Sequence, residues 1–136
     1  MSRSAIHGAL SGRLATYATA AGLSVAWANR TFQPTRDMYL REALIPARTV
    51  QASLGDEGAN KESGIYQVDV VSVAGQGFGP ASTVVDAIIA HFSRGLRLPA
   101  GGGIFEVAVE VAWSGPVLIE DGRERVPISI PYYAYT

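Results

Sequence analysis

The sequence predicts an α+β fold, a mostly antiparallel sheet with two main helices packed on one of its faces. Three observations lead there. Two segments, near residues 4–21 and 80–94, repeat apolar side chains at helical spacing. Several others alternate apolar and polar residues with the period of a strand. The strand-like segments also follow one another through short Gly- and Pro-bearing turns, which is the connectivity of antiparallel pairing.

In chain order, the first helix is marked by Ile6, Leu10, Leu14, Tyr17 and Ala21, with Ser4 placed to cap its start and Gly22 to end it. A short strand over 24–27 leads into an irregular stretch, 29–37, that contains Pro34. Residues 38–54 read as a long strand interrupted by Pro46. Pro has no N–H for a ladder, so this segment is expected as an edge strand or a bending arm. The polar, Gly-bearing run 55–63 is expected as a mobile loop. Gly64 then opens a strand over 65–73, with Tyr66, Val68 and Val70 on one face and Gln67 and Asp69 on the other.

A Gly-rich turn at Gly75, Gly77 and Gly79 feeds the second helix, where Pro80 suits the first turn. Val84, Val85, Ile88, Ile89 and Phe92 form its apolar stripe, and Gly95 ends it. Residues 105–113 give the clearest strand: Phe105, Val107, Val109, Val111 and Trp113 alternate with Glu106, Ala108, Glu110 and Ala112. Gly115-Pro116 turns the chain into 117–120. Asp121-Gly122 is a hairpin signal that sets Glu120 opposite Arg123. The last strand, 126–133, carries Pro127 and Pro131 and is again expected at an edge. No repeat or boundary interrupts the 136 residues, so one domain, 1–136, is expected.

Composition narrows the function classes. There is no cysteine, which removes disulfides, thiol catalysis and thiolate metal sites. The net charge of −1 is unlike the basic excess of a general nucleic-acid binder. No apolar run approaches the ~20 residues of a membrane span, and residues 1–24 lack the layout of a targeting segment, so a soluble protein of a reducing cytoplasm is expected. Ten of the 11 cations are Arg, the cation suited to desolvated contacts between proteins, although base composition favours the same swap. A hydrophobic content of 48% with 17% charged residues suggests apolar surface to be covered by partner subunits.

The residues offer little chemistry. Gly75-Gln76-Gly77-Phe78-Gly79-Pro80 has the strand-to-helix context of a phosphate-binding turn, but Pro80 stands where the dinucleotide fingerprint needs Gly. His7 and His91 have no second ligand at helical spacing and read as helix-surface residues. No serine occupies a nucleophile elbow. Glu106 and Glu110, i and i+4 on one strand, would stand roughly 13 Å apart, too far for paired acid–base work. No catalytic residue, cofactor or metal is therefore expected. Surface-forming residues stand out instead: Tyr39, Leu40, Arg41 and Arg48 in the long segment, and Tyr132, Tyr133 and Tyr135 near the end.

Ala26-Trp27-Ala28-Asn29, Phe32, Pro34 and Tyr39-Leu40-Arg41 resemble the N-terminal half of a small phage family. Gly64-Ile65-Tyr66-Gln67-Val68, the Gly75-x-Gly77 turn, Gly115-Pro116 and Pro127-Ile128-Ser129-Ile130-Pro131-Tyr132 fit the same family in the same order. It is similar to the tail terminator proteins of long-tailed bacteriophages and prophages. Where that family would have Trp-Pro-Asn, this chain has Trp27-Ala28-Asn29. The resemblance implies a non-enzymatic structural subunit that assembles as a ring, typically a hexamer, on the end of the tail tube. It implies tail tube and head-completion proteins as partners, transient passage of DNA, assembly in the host bacterial cytoplasm and residence in the virion tail. The segment 38–54 and loop 55–63 would then contact neighbours and tube, with Arg41 and Arg48 facing acids such as Glu106 or Glu110 of the adjacent subunit. The competing expectation is a small ligand-binding or enzymatic α+β domain using the turn at 75–80.

Overall fold

A computed structural model describes residues 2–28, 38–47, 49–51, 60–73, 79–100, 106–120 and 122–135. Its elements are α1 (Ser2–Ala21), β1 (Ser24–Ala26), β2 (Tyr39–Pro46), β3 (Val50–Gln51), β4 (Asn60–Val73), α2 (Gly79–His91), β5 (Arg97–Pro99), β6 (Glu106–Val109), β7 (Trp113–Ser114), β8 (Leu118–Glu120) and β9 (Arg123–Tyr135). The strands form one sheet in the order β1-β2-β4-β9-β6-β5, with β3 beside β4 and β7 and β8 beside β9. Among the described residues only β1 with β2 is parallel, so the α+β expectation holds.

The centre of the sheet is the β4–β9 pair, antiparallel from Lys61↔Tyr135 to Val73↔Arg123. Strand alternation places Tyr66, Val68 and Val70 of β4 and Val126, Ile128, Ile130, Tyr132 and Ala134 of β9 on the same buried face. Both helices lie against that face. Ile6, Leu10, Leu14 and Ala18 recur every four residues along α1, and Ala81, Val85 and Ile88 follow at steps of four and three along α2, with Phe92 just beyond its end. Full burial of each Leu or Ile contributes roughly 1.5–3 kcal/mol, so this single cluster dominates the stability of the fold.

Helix α1 begins at Ser2, which puts Ser4 inside the helix and not at its cap. Its end is as expected: Gly22 takes φ +72°, its N–H donates to Thr19 O at 3.3 Å, and Leu23 N–H donates to Ala18 O at 2.9 Å. These two bonds satisfy carbonyls that a helix end leaves open. The two helices are clamped where they meet. Arg13 Nε and Nη2 donate to the His91 carbonyl at 3.1 and 2.8 Å, and His91 Nε2 lies 2.8 Å from the Arg13 carbonyl.

Three expectations about strands are corrected. First, β9 is central, although it carries Pro127 and Pro131. In an antiparallel strand a residue's N–H and C=O point to the same side. Pro131 O accepts from Glu110 N–H at 2.9 Å and Pro127 O from Gly115 N–H at 2.8 Å, so both missing donors face the β6–β8 side. The ladder with β4 loses nothing.

Second, the strand expected over 105–113 is broken on that same side. From Val109↔Tyr132 to Trp113↔Ser129 the outer strand advances four residues while β9 advances three. The same slip recurs from Ser114↔Ile128 to Leu118↔Arg125. Each is a β-bulge, and each lies next to a β9 proline. The first bulge reverses the alternation: Val107 and Val109 are core, but Val111 and Trp113 are 54% and 49% exposed while Ala112 packs inward.

Third, β4 starts at Asn60, so the last four residues of the expected loop 55–63 are strand. The remainder of that loop lies outside the described residues. Gly64 is therefore internal to β4, where an added Cβ would meet Ile45 O at 2.5 Å and Tyr132 Oη at 2.7 Å. Likewise β2 is not a simple edge, because β1 covers Tyr39 to Arg41. The hairpin expectation holds, with Glu120 opposite Arg123.

Candidate functional site

The sheet face turned away from the helices carries a line of charge. Arg41 on β2 donates from Nη2 to Asp69 Oδ2 on β4 at 3.0 Å, and Arg125 Nη1 on β9 reaches the same oxygen at 3.2 Å. Gln67 Nε2 donates to Asp69 Oδ1 at 2.9 Å, and Arg125 Nη2 to Glu120 Oε1 at 3.0 Å. Asp69 is buried, and its carboxylate is matched by three donors. Partial burial would loosen the Arg125 proton, but Asp69 and Glu120 outweigh it and hold the guanidinium charged more firmly. Tyr39 lies on this face too, with the Arg123 guanidinium 5.5 Å from its ring centroid.

A second polar cluster sits on the helix side. Glu42 shares the register of Leu40 and Leu44 on β2 and so points into the core, where it is 5% exposed. Ser11 Oγ and Tyr66 Oη donate to its Oε1, each at 2.6 Å. Oε2 accepts from Ala28 N–H at 3.0 Å and faces His7 Nε2 at 2.9 Å. Burial alone would raise the Glu42 pKa, but the four donors outweigh it and hold the carboxyl below its ordinary value. Tyr66 is pushed well above the usual phenol range by burial and by the adjoining carboxylate.

His7 is thus half-buried and bonded across to β2, and His91 to the α1 backbone, which corrects the helix-surface reading of both. A recess of about 350 Å³ opens beside the cluster, lined by His7, Ser11, Trp27 and Glu42 among others. The serine proton is directed at the carboxylate and not at an imidazole, so the cluster ties α1, β2, β4 and the end of β1 together. No group of metal-ligating side chains occurs among the described residues. No helix among them is long and apolar enough to cross a membrane.

The residues singled out in the sequence fall in different places. Arg41 is 43% exposed at its side chain and engaged with Asp69 of its own chain. Leu40 is fully buried beneath the helices. Glu106 is exposed and pairs with Arg97 at 3.3 Å. Glu110 lies past the end of β6, on the wall of an open groove of about 540 Å³ shared with Arg94, Arg97, Pro131 and Tyr133. The Glu106–Glu110 spacing expected for one continuous strand therefore does not apply. Arg48 and most of the 75–80 turn lie outside the described residues. Sequence reasoning passed over Glu42 and Asp69. The signal for Glu42 was a carboxylate at the inward position between Leu40 and Leu44.

Comparison with known proteins accords with the architecture. A solved protein structure 32% identical in sequence superposes with a TM-score of 0.80 over 98% of this chain and 96% of that one. A chain in the virion of a native gene transfer agent particle shares the fold, with a TM-score of 0.64 at 16% identity over 98% and 97% of the two chains. No curated protein matches the sequence. The model of the phage tail terminator protein family matches residues 5–132. The chain belongs to the phage tail terminator family, a family of structural phage tail proteins.

Proposed function

We propose that the chain caps the tail tube: it assembles as a ring, expected as a hexamer, on the tube end, stops polymerisation and presents a face to head-completion proteins. The observation that carries this reading is the distribution of uncovered apolar surface in a member of this family. Both helices lie on one sheet face, while Ile45, Val50, Val111, Trp113, Leu118, Ile119 and Tyr135 stay exposed on the other strands and edges. Clustered apolar surface of this kind marks contact with partners. The kinship in fold with a chain of a gene transfer agent virion supports residence in an assembly.

In this reading Arg41 and Arg48 belong to the surface turned to neighbour or tube, with Tyr39, itself buried, packed behind it against the Arg123 guanidinium, and Glu106 and Glu110, beyond β9 toward the far edge of the sheet, are the acidic partners. A near-neutral subunit suits a conduit through which DNA passes without being held. Assembly takes place in the host bacterial cytoplasm, and the protein ends in the virion tail. The test is electron microscopy of purified tail tubes assembled with and without the protein, alongside light scattering. Tubes of defined length ending in a ring are expected. Tubes that lengthen regardless and carry no extra density, with a protein that stays monomeric in their presence, would refute the reading.

A further inference from the structure

Strand β4 carries a carboxylate that the fold leaves unanswered. Glu62 lies in register with Ala134 and on the same face of β4 as Tyr66, the helix side of the sheet. Its Oε2 is sealed from solvent, yet no hydrogen-bond donor among the described residues reaches it. The neighbouring cation is turned away: strand alternation sends Lys61 to the opposite face, where its Nζ stands 5.1 Å from the Tyr133 ring centroid. A buried acceptor of this kind costs free energy until something donates to it.

The backbone opposite Glu62 is shaped to admit a donor. From Pro46↔Gly64 to Val50↔Lys61 the outer strand advances four residues while β4 runs through three, a β-bulge facing Glu62 and Ser63. Ala47 N–H donates to Ser63 O at 2.8 Å and pins the bulge to β4. Beside it opens a recess of about 220 Å³, lined by Ile6, Pro46, Ala47, Thr49, Glu62 and Tyr132 among others. Ile6 and Tyr132 are buried and make its apolar floor, while Pro46, Ala47 and Thr49 are exposed and leave it open to solvent. The volume is several times the roughly 30 Å³ that one water occupies.

We infer that this recess binds a single organic cation, an alkylguanidinium or alkylammonium, whose N–H groups pair with the Glu62 carboxylate while its alkyl stem lies on Ile6, Pro46 and Tyr132. Such a group carries several donors and no acceptor, the complement of a lone carboxylate in an apolar setting. A metal ion fits less well, because no second carboxylate or imidazole joins Glu62 in the lining. The cation is supplied by an arginine side chain of another protein or by a free polyamine. The site does not depend on the proposed cap.

The test uses the full-length protein with ethylguanidinium, its neutral isostere ethylurea, and spermidine, at matched ionic strength. Backbone-amide NMR titration should show saturable shifts at Ala47, Glu62 and Ser63 with ethylguanidinium, and binding of ethylurea at least about tenfold weaker. Glu62→Gln, which keeps the shape, should weaken ethylguanidinium binding at least about tenfold, whereas Glu110→Gln, in the open groove, should leave it unchanged. Without any probe, Glu62→Gln should unfold in urea at the wild-type midpoint or above, because it removes a buried unanswered charge. A lower midpoint means that the carboxylate already has its donor within the chain, and overturns the site. Ethylguanidinium that binds no more tightly than ethylurea, or equally well to Glu62→Gln, overturns it too. Spermidine binding more tightly than ethylguanidinium assigns the source to free polyamines; ethylguanidinium binding as tightly or more so assigns it to an arginine side chain.

Discussion

Replacing Glu42 with Leu removes the acceptor of four donors at once and leaves their shape almost filled. Tyr66 is fully buried, so its hydroxyl has no water to turn to. An orphaned buried donor costs about 1–3 kcal/mol, and a lost bond to a charged acceptor about 1.5–3 kcal/mol. Ser11 and His7 are half-exposed and re-solvate, so they add little. The expected loss is about 3–5 kcal/mol, or about 10–17 °C in Tm for a domain of this size. Urea unfolding at pH 7, followed by circular dichroism, measures it as a lower midpoint at unchanged slope.

The double variant Glu42→Leu/Tyr66→Phe should regain about 1–3 kcal/mol, because it removes the orphan hydroxyl as well. The acid limb adds a second signature. Glu42 has a folded pKa below its ordinary 4.5, so its contribution is complete above that value and is lost as pH falls through the folded pKa. The Leu variant should lack this slope. A loss under 1 kcal/mol, or no recovery in the double variant, would refute the claim that this carboxylate organises the helix–sheet contact.

Other expectations are as direct. Gly64→Ala forces a Cβ against the Ile45 carbonyl and the Tyr132 hydroxyl and should cost about 1–3 kcal/mol by chemical denaturation. Asp69→Ala strips Arg41, Arg125 and Gln67 of their shared acceptor. With Arg41 nearly half exposed, about 2–3 kcal/mol is expected, and 1 M salt should not recover the wild-type midpoint. Tyr66, raised above its ordinary 10.0, stabilises the fold fully below that pH, and the contribution falls as pH climbs toward the folded value. Between pH 10 and 11 the wild type should therefore lose up to about 1.4 kcal/mol more than Tyr66→Phe.

What was legible in the sequence was whatever depends on near neighbours. The α1 stripe from Ile6 to Tyr17, the α2 stripe with Gly95 beyond it, the Tyr66–Val70 alternation and the hairpin that sets Glu120 opposite Arg123 are local patterns, and each holds, whereas Ala21 of the α1 pattern is exposed. Errors arose where a distant strand decides. Pro127 and Pro131 looked like edge markers, because the sequence does not say which side of β9 their missing donors face. Val111 and Trp113 continued a clean alternation that a bulge reverses, and the bulge exists only in relation to β9. The polar clusters were invisible for the same reason. Glu42 meets α1 residues more than 30 positions away, and Asp69 meets an arginine 56 positions away.

The β4–β9 pairing has a consequence for synthesis. Lys61 waits for Tyr135 and Val73 for Arg123, so the central ladder closes only after α2 and every other strand have been made. Until then β4 on one side and β6, β7 and β8 on the other present open backbone, and α1 and α2 have only half a floor to lie on. Such long-range closure is slow and leaves sticky edges exposed while it is pending. Ribosomes translating this message in close array would therefore hold several nascent chains with matching unfilled slots. Swapping of β9 between neighbouring copies is the characteristic error to look for when the protein is overproduced.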